Sequence, residues 1–185
     1  MPGGARRERS SMTAAYTSPK LRLNESRAHG KCLIARQPIE AGELLVVWNG
    51  DVLTFDELAD LPDEFCAHIV QIEEDQFLVS RPPWPDADYV NHACDPNAIL
   101  QNAKTLVAAR PIDVDEEITY DYATSDSSPY DDFTCRCGMS LCRGQVTVDD
   151  WKKSELQNRY DQGFSPYLLR RMKATRDNGS MNPTE

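Results

Sequence analysis

Asn91-His92-Ala93-Cys94-Asp95-Pro96-Asn97 puts two polar groups, a thiol and a tight turn into seven positions. Proline presets its own φ and disfavours helix in the residue before it, while asparagine tolerates unusual backbone angles, so Asp95-Pro96-Asn97 reads as a fixed bend. Cys94 therefore stands where an extended segment ends in a turn. By itself the stretch fits a capped loop around a small buried thiol equally well. The balance shifts at Cys135, Cys137 and Cys142, whose CxCxxxxC spacing, with Gly138 in the bend, draws three thiolates together. Three thiolates are one short of a tetrahedral zinc site. Cys94 is the best fourth ligand because of its rigid turn, whereas Cys32 and Cys66 lie in or beside apolar segments where a thiol packs as a small hydrophobe.

The whole chain supports that preference for metal. It has 185 residues, 40% of them hydrophobic and 27% charged, enough for one globular domain with an appendage. The formal net charge of -10 argues against non-specific binding to nucleic acid or anionic membrane and favours a basic partner. There is no run of about 18 apolar residues and no apolar signal core, so a soluble, intracellular protein is expected, cytoplasmic if bacterial and nuclear or cytoplasmic if eukaryotic. Thiols stay reduced in such compartments, which leaves metal binding as the account of six cysteines.

Residues 1–18 lack periodicity and read as a flexible tail. Alternation at Leu21 and Leu23, a turn over residues 26–30 and the apolar run Cys32–Ala35 predict strand, turn, strand. Leu44–Trp48 is short enough for a buried strand. Thr54 followed by Glu57 is a capping-box spacing, so a short helix is expected around Asp56–Asp60, ended by Pro62. His68–Val79 reads as a hairpin around Glu73-Glu74-Asp75, and Ile99–Ala109 as two strands about Asn102. Ile118–Tyr122 alternates like a strand. Asp149 and Asp150 are placed to cap a helix from Trp151 to about Tyr160, with a second helix starting at Ser165-Pro166 and a disordered end over 177–185.

Four ordered motifs now stand together: Asn91–Asn97; Ala109-Arg110-Pro111-Ile112; Glu116–Tyr122; and Cys135-Arg136-Cys137-Gly138 with Cys142-Arg143-Gly144. In order, spacing and identity they resemble a SET domain with its post-SET zinc segment, over about Pro19 to Thr147. The resemblance implies a mainly β fold, a β-clip of several small sheets in which the Asn91-His92 and Tyr122 segments meet in a knot-like crossing. On it, 19–124 is the SET domain, 125–147 the post-SET linker and zinc segment, and 148–176 a C-terminal helical extension. It also implies a protein lysine N-methyltransferase that uses S-adenosylmethionine.

Motif by motif, His29, Gly30 and Lys31 match the first cofactor segment, where Cys32 replaces a second glycine. Asn91 and His92 match the pair that holds the cofactor, with Tyr89 flanking them. Tyr122 matches the tyrosine of the methyl-transfer channel, and Tyr120 the position that tunes how many methyl groups are added. His68 aligns where many family members carry another channel tyrosine. Cys94, Cys135, Cys137 and Cys142 match the structural zinc ligands. Methyl transfer to an amine needs alignment and an uncharged lysine, both of which a narrow apolar channel favours, and no dedicated carboxylate. Asp121 is therefore free to face away from the channel, and Glu116 and Glu117 support the fold or meet solvent. The implied substrate is a basic protein or peptide, such as a histone tail or ribosomal protein segment. Cys32 and His68 also motivate a different class of function, an inactive SET module that binds a basic partner. A purely zinc-stapled structural domain leaves Tyr120-Asp121-Tyr122 unexplained.

Overall fold

The computed structural model describes residues 14–26, 30–129 and 132–179. In chain order the elements are β1 (Tyr16–Thr17), β2 (Leu21–Ser26), β3 (Gly30–Ala35), β4 (Leu44–Val47), β5 (Asp51–Leu53), α1 (Phe55–Leu58), β6 (Ile69–Glu73), β7 (Gln76–Val79), β8 (Asn91–His92), β9 (Ala98–Asn102), β10 (Thr105–Ala108), β11 (Thr119–Tyr120), β12 (Phe133–Thr134), β13 (Gln145–Val146), α2 (Ser154–Tyr160) and α3 (Pro166–Gly179). The fold is mainly β and divides into small sheets, as the resemblance implies. Four strands form one sheet in the order β1-β4-β10-β9, and β5-β7-β6 form another; β2-β3 and β12-β13 are separate ladders.

The predicted hairpins appear where the apolar patterns put them. β2 and β3 pair antiparallel from Leu21 with Ala35 out to Ser26 with Gly30. Along β3 the pattern changes from exposed at Gly30 and Lys31 to buried from Cys32 onward. The inner end of the strand thus anchors in the core while the outer end emerges at the surface. β6 and β7 make the acidic hairpin, and β9 and β10 pair about Asn102. Thr54 and Glu57 cap α1 reciprocally, as their spacing predicts.

Four expectations change. Tyr16–Thr17, assigned to the tail, is an edge strand paired with Val46 and Val47 of β4; most of the remaining tail lies outside the described residues. The predicted strand over Ile118–Tyr122 ends at Tyr120, because the Asp121 side chain accepts from the Ala123 N–H and turns Tyr122–Thr124 into a 3-10 helix. The predicted helix from Trp151 is a 3-10 turn over Asp150–Lys152 and then α2, separated by Lys153 in an extended conformation; Asp149 makes no side-chain cap. The predicted last helix runs from Pro166 through Asn178 to Gly179, three residues into the segment expected to be disordered.

Two apolar clusters make the core. One gathers Leu33, Ile39, Leu45, Val46, Leu100, Leu106, Ile112 and Ile118 between the sheets. The other packs Trp151, Leu156, Tyr160, Phe164, Tyr167 and Leu168 of the helical extension against Ala123, with Ile99 of β9 at its margin. These aromatics therefore pack the extension onto the body. The extension also grips the chain just beyond Tyr122. Ser165 N–H donates to Thr124 O, the Tyr167 hydroxyl to Ser125 O, and Arg171 to Ser127 Oγ, while Gln71 of β6 accepts from the Ser127 N–H.

Gly50, between β4 and β5, passes so close to β7 that a Cβ there would lie 2.2 Å from Val79 O. Backbone cannot rotate away, whereas a Cβ on Gly163 would press on a side chain, Ile99, at Cδ1 (2.2 Å) and Cγ1 (2.4 Å). Gly50→Ala should lower stability by about 1–3 kcal/mol, the usual range for overpacking, and Gly163→Ala by clearly less. Urea unfolding of the two variants beside the parent chain measures this, and equal losses would contradict it.

Candidate active site and metal centre

The site is built where two distant segments lie side by side. β8 and β11 pair in parallel, Thr119 with Asn91 and Tyr120 with His92, and Ala93 N–H extends the ladder to Tyr120 O. Two residues of parallel pairing are weak by themselves, so side chains reinforce the crossing. Asn97 Oδ1 accepts from Thr119 N–H at 3.0 Å, and its Nδ2 donates to Glu117 O at 2.8 Å and Glu116 Oε1 at 3.0 Å. The bend of the opening stretch thus locks the very strand that carries Tyr120.

Asn91 sits at the surface end of this crossing, where its Nδ2 donates to Glu117 Oε1 at 2.9 Å and to Lys31 O at 3.2 Å. Lys31 in turn reaches over the Tyr89 ring, 4.9 Å from its centroid. Gly30, Lys31, Tyr89 and Asn91, expected from separate motifs, therefore form one patch; His29 lies outside the described residues. Gly30 has a φ of 73°, and the space its missing Cβ would fill contains no atom within 4 Å. The same positive φ and open space occur at Gly42, Gly138 and Gly144, so here they mark a turn at the exposed end of β3. Cys32 replaces the second glycine without positive φ and is 1% exposed, so its side chain is taken up by the core. Glu117, expected only to support the fold or meet solvent, orients Asn91, a role no spacing rule announces.

His92 faces the other way. Its Nδ1 accepts from Tyr122 N–H at 3.2 Å, which assigns the proton to Nε2, and Nε2 lies 3.3 Å from Cys94 Sγ. Cys94, Cys135, Cys137 and Cys142 have their sulfurs all within 4.8 Å of one another. Sulfurs about 2.3 Å from a tetrahedral zinc stand about 3.8 Å apart, so the four fit that ion with a small contraction. Gly138 makes the predicted bend, with a φ of 71°. Burial pushes the Cys94 and Cys135 thiols up. At Cys137 burial acts the same way, but backbone hydrogen bonds at Cys94 and Met139 and the neighbouring thiols outweigh it and bring this group to about 7. A thiol that readily ionises among protonated neighbours suits a cluster that exchanges protons for a metal.

Trp48, Val90, Tyr120 and Tyr122 line a cavity of about 110 Å³ with Cys66, Ala67, His68, Ile69, Val70, Asp88 and Asp126. The Tyr120 and Tyr122 ring centroids are 4.8 Å apart and those of Trp48 and Tyr120 5.4 Å. The Tyr122 hydroxyl donates to Val90 O at 3.0 Å. Burial, with the charges of Asp126 and Glu117, pushes the Tyr122 phenol up, so it stays a neutral hydroxyl. The cavity is thus walled by aromatic and apolar side chains, with His68, Asp88 and Asp126 among its lining.

Asp121 does face away from the cavity, as anticipated, but it is not idle. It is 1% exposed, takes both terminal nitrogens of Arg143 at 2.6 and 2.8 Å, and accepts from the Tyr160 hydroxyl at 2.9 Å. Arg143 Nε goes on to Asp150 at 2.7 Å, and Arg143 N–H points at Cys94 Sγ at 3.4 Å. Arg143, Asp150 and Tyr160 were not foreseen as members of the site.

A mainly β chain with this parallel crossing, an Asn-His segment beside a tyrosine-lined cavity and a four-cysteine cluster defines a class, and the SET domain family matches residues 30–123, half of the chain, which therefore belongs to that family. Among curated proteins, it is similar to histone-lysine N-methyltransferase SETD1A of Homo sapiens, 29% identical over 147 residues that cover 71% of this chain and 8% of that protein. Histone-lysine N-methyltransferase SETD1B of Xenopus tropicalis is 28% identical over 147 residues, covering 71% and 7%. Histone-lysine N-methyltransferase ash1 of Drosophila melanogaster is 30% identical over 124 residues, covering 59% and 5%. The chain spans less than a tenth of the length of these relatives.

Two expected outcomes follow from the metal centre and its latch. Cys94→Ser should lower the uptake of added zinc by the four-cysteine cluster and loosen His92, because Cys94 touches it, while Cys66→Ser should change neither; elemental analysis after zinc loading and imidazole NMR shifts read the two. At Asp150 burial acts to raise the carboxyl, but hydrogen bonds from Lys153 and Thr147 and the charge of Arg143 outweigh it and hold the group below its ordinary range. Its folded-state value thus lies below the unfolded one, so the stabilisation is present above about pH 4 and is lost as pH falls through the folded value. Asp150→Asn should remove that part of the acid dependence, seen in urea unfolding from about pH 3 to about pH 7.

Proposed function

We propose that this chain is an S-adenosylmethionine-dependent protein lysine N-methyltransferase acting on a basic protein or peptide. The observation that carries this is the tyrosine-lined cavity set against the Asn91-His92 crossing, the arrangement a narrow amine channel next to a cofactor patch requires. In this reading 19–124 is the SET domain, 125–147 the post-SET linker and zinc segment, and 148–176 a helical extension that holds the channel loop. Gly30, Lys31, Tyr89, Asn91 and His92, together with His29, hold the cofactor, which when bound supplies an electrophilic methyl group on a sulfonium. Cys94, Cys135, Cys137 and Cys142 hold a structural zinc ion.

The residues of the chain then divide the work. Trp48, Val90 and Tyr120 strip water from the lysine side chain, which disfavours its ammonium form. Tyr122, neutral and fixed on Val90 O, presents its oxygen to the reacting centre and orients the amine. Such alignment is worth up to about 7–11 kcal/mol of barrier. The net charge of -10 draws a basic segment such as a histone tail or ribosomal protein. The reading puts the protein inside the cell, in the nucleus or cytoplasm; among the described residues no helix is long and apolar enough to cross a membrane. The alternative, an inactive module that binds a basic partner, is separated by calorimetry with S-adenosylmethionine, which such a module should bind little.

Purified protein, a labelled methyl donor and a panel of basic peptides test the reading by mass spectrometry. Transfer to lysine is expected, with Tyr122→Phe lowering kcat strongly and Tyr120→Phe shifting the product from one or two methyl groups toward three, because the phenolic oxygen occupies room inside the channel. Absence of transfer to every basic peptide from about pH 7 to about pH 9.5 would overturn it.

A further inference from the structure

One step of this reading still lacks a residue. A lysine arrives as an ammonium ion and has to lose a proton before its nitrogen can attack, and desolvation lowers the barrier to that loss without accepting the proton. Tyr122 does not take it, since its hydroxyl donates to Val90 O and the phenol is held neutral. The cavity contains another candidate. His68 and Asp88 both line it, with Nδ1 of His68 2.8 Å from Asp88 Oδ2 and side-chain exposures of only 7% and 4%. Ser80 Oγ donates to the other Asp88 oxygen at 2.9 Å, which fixes the carboxylate plane. Burial, opposed by these hydrogen bonds from Ser80 and His68, pushes the Asp88 carboxyl up.

The imidazole is fixed from three sides. It lies face to face on Trp84, centroids 3.9 Å apart and planes 2° from parallel, and the Tyr89 ring meets its edge at 5.6 Å. Asp88 occupies Nδ1, and Nε2 has no hydrogen-bond partner among the described residues. A cavity-lining histidine whose one nitrogen is held by a buried carboxylate, and whose other is uncommitted, has the construction of a general base. Cys66, Tyr120, Tyr122 and Asp126 are the other titratable groups lining the same cavity. As a class a carboxylate is a poorer acceptor for an amine proton than an imidazole, which sets His68 ahead of Asp126.

Resting on the methyltransferase reading, we propose that His68, oriented by Asp88, is a catalytic residue that removes the proton from the substrate ammonium. The N–H bond of the ammonium breaks and an N–H bond forms at His68 Nε2. The electron pair left on the amine attacks the methyl carbon of the sulfonium donor, and the carbon–sulfur pair stays on sulfur. The imidazolium faces the Asp88 carboxylate until its proton passes to solvent through the cavity mouth. The same machinery serves a second methyl transfer, since the product is again an ammonium.

Rate profiles from about pH 6 to about pH 10 on the full chain, with a single-lysine basic peptide, test this. His68→Gln should lower kcat/KM near neutral pH by about a hundred- to ten-thousandfold, the usual worth of a general base. The deficit should shrink as pH rises and solution supplies neutral amine, and added imidazole should restore part of the rate. Methyl-donor affinity, read by calorimetry, should hardly change. Asp88→Asn should show a smaller loss with the same pH trend, which keeps the test open if His68→Gln does not fold. His68→Tyr should behave like the glutamine variant. A His68→Tyr chain with full activity at neutral pH, or a His68→Gln profile parallel to the parent and deaf to imidazole, overturns the proposal and leaves the methyltransferase reading standing. A parent chain that methylates no basic peptide takes both down.

Discussion

The buried carboxylate of Asp121 is the point on which the rest of the structure depends. It sits one residue before Tyr122, is grasped by both terminal nitrogens of Arg143 from the cysteine segment, and accepts the Tyr160 hydroxyl from the helical extension. Three stretches of chain, each too short to be stable alone, thereby share one charge. Removing one partner of such a pair costs about 3–5 kcal/mol, because the other is left buried and unpaired. The direction in which Asp121 points also settles that of Tyr122. With the carboxylate committed outward to Arg143, the next side chain is free to turn into the cavity and reach Val90 O.

The opening stretch does its several jobs by alternating faces. Asn91 meets Lys31 and Glu117, His92 bridges Tyr122 N–H to Cys94 Sγ, and Asn97 ties the bend to Thr119 and Glu117. His92 is therefore a rigid spacer between the cysteine cluster and the tyrosine, and its tautomer is set by a backbone N–H rather than by solvent. Small movements of the cysteine segment are felt at Tyr122 through one imidazole ring.

Local signals in the sequence were legible and long-range ones were not. The hairpins, the Thr54–Glu57 box, the bend at Asp95-Pro96-Asn97 and the four-cysteine set all rest on neighbours or on spacing, and each is present. The strand expected through Tyr122 stopped early because Asp121 caps a turn, and the helix expected from Trp151 broke at Lys153 because Asp150 serves Arg143 and Thr147 instead of a helix end. Alternation and capping rules see only the nearest few residues, so a carboxylate recruited from afar defeats them. The pairing of His68 with Asp88 escaped for a related reason. A histidine and an aspartate twenty residues apart make no pattern until β6, β7 and the loop with Trp84 bring them together. Tyr16–Thr17 could not be told from tail because a two-residue strand carries no period.

The helical extension has a consequence for what counts as one unit of folding. Its aromatic cluster is closed on one side by Ala123 and Ile99, residues of the family domain itself, and its first turn is pinned by Ser165 N–H on Thr124 O. The aromatic cluster is incomplete without the body, which keeps a core of its own between the sheets. The border at residue 123 that family membership draws therefore runs through a packed cluster, and a chain cut there would uncover the faces of Ala123 and Ile99 that the extension covers.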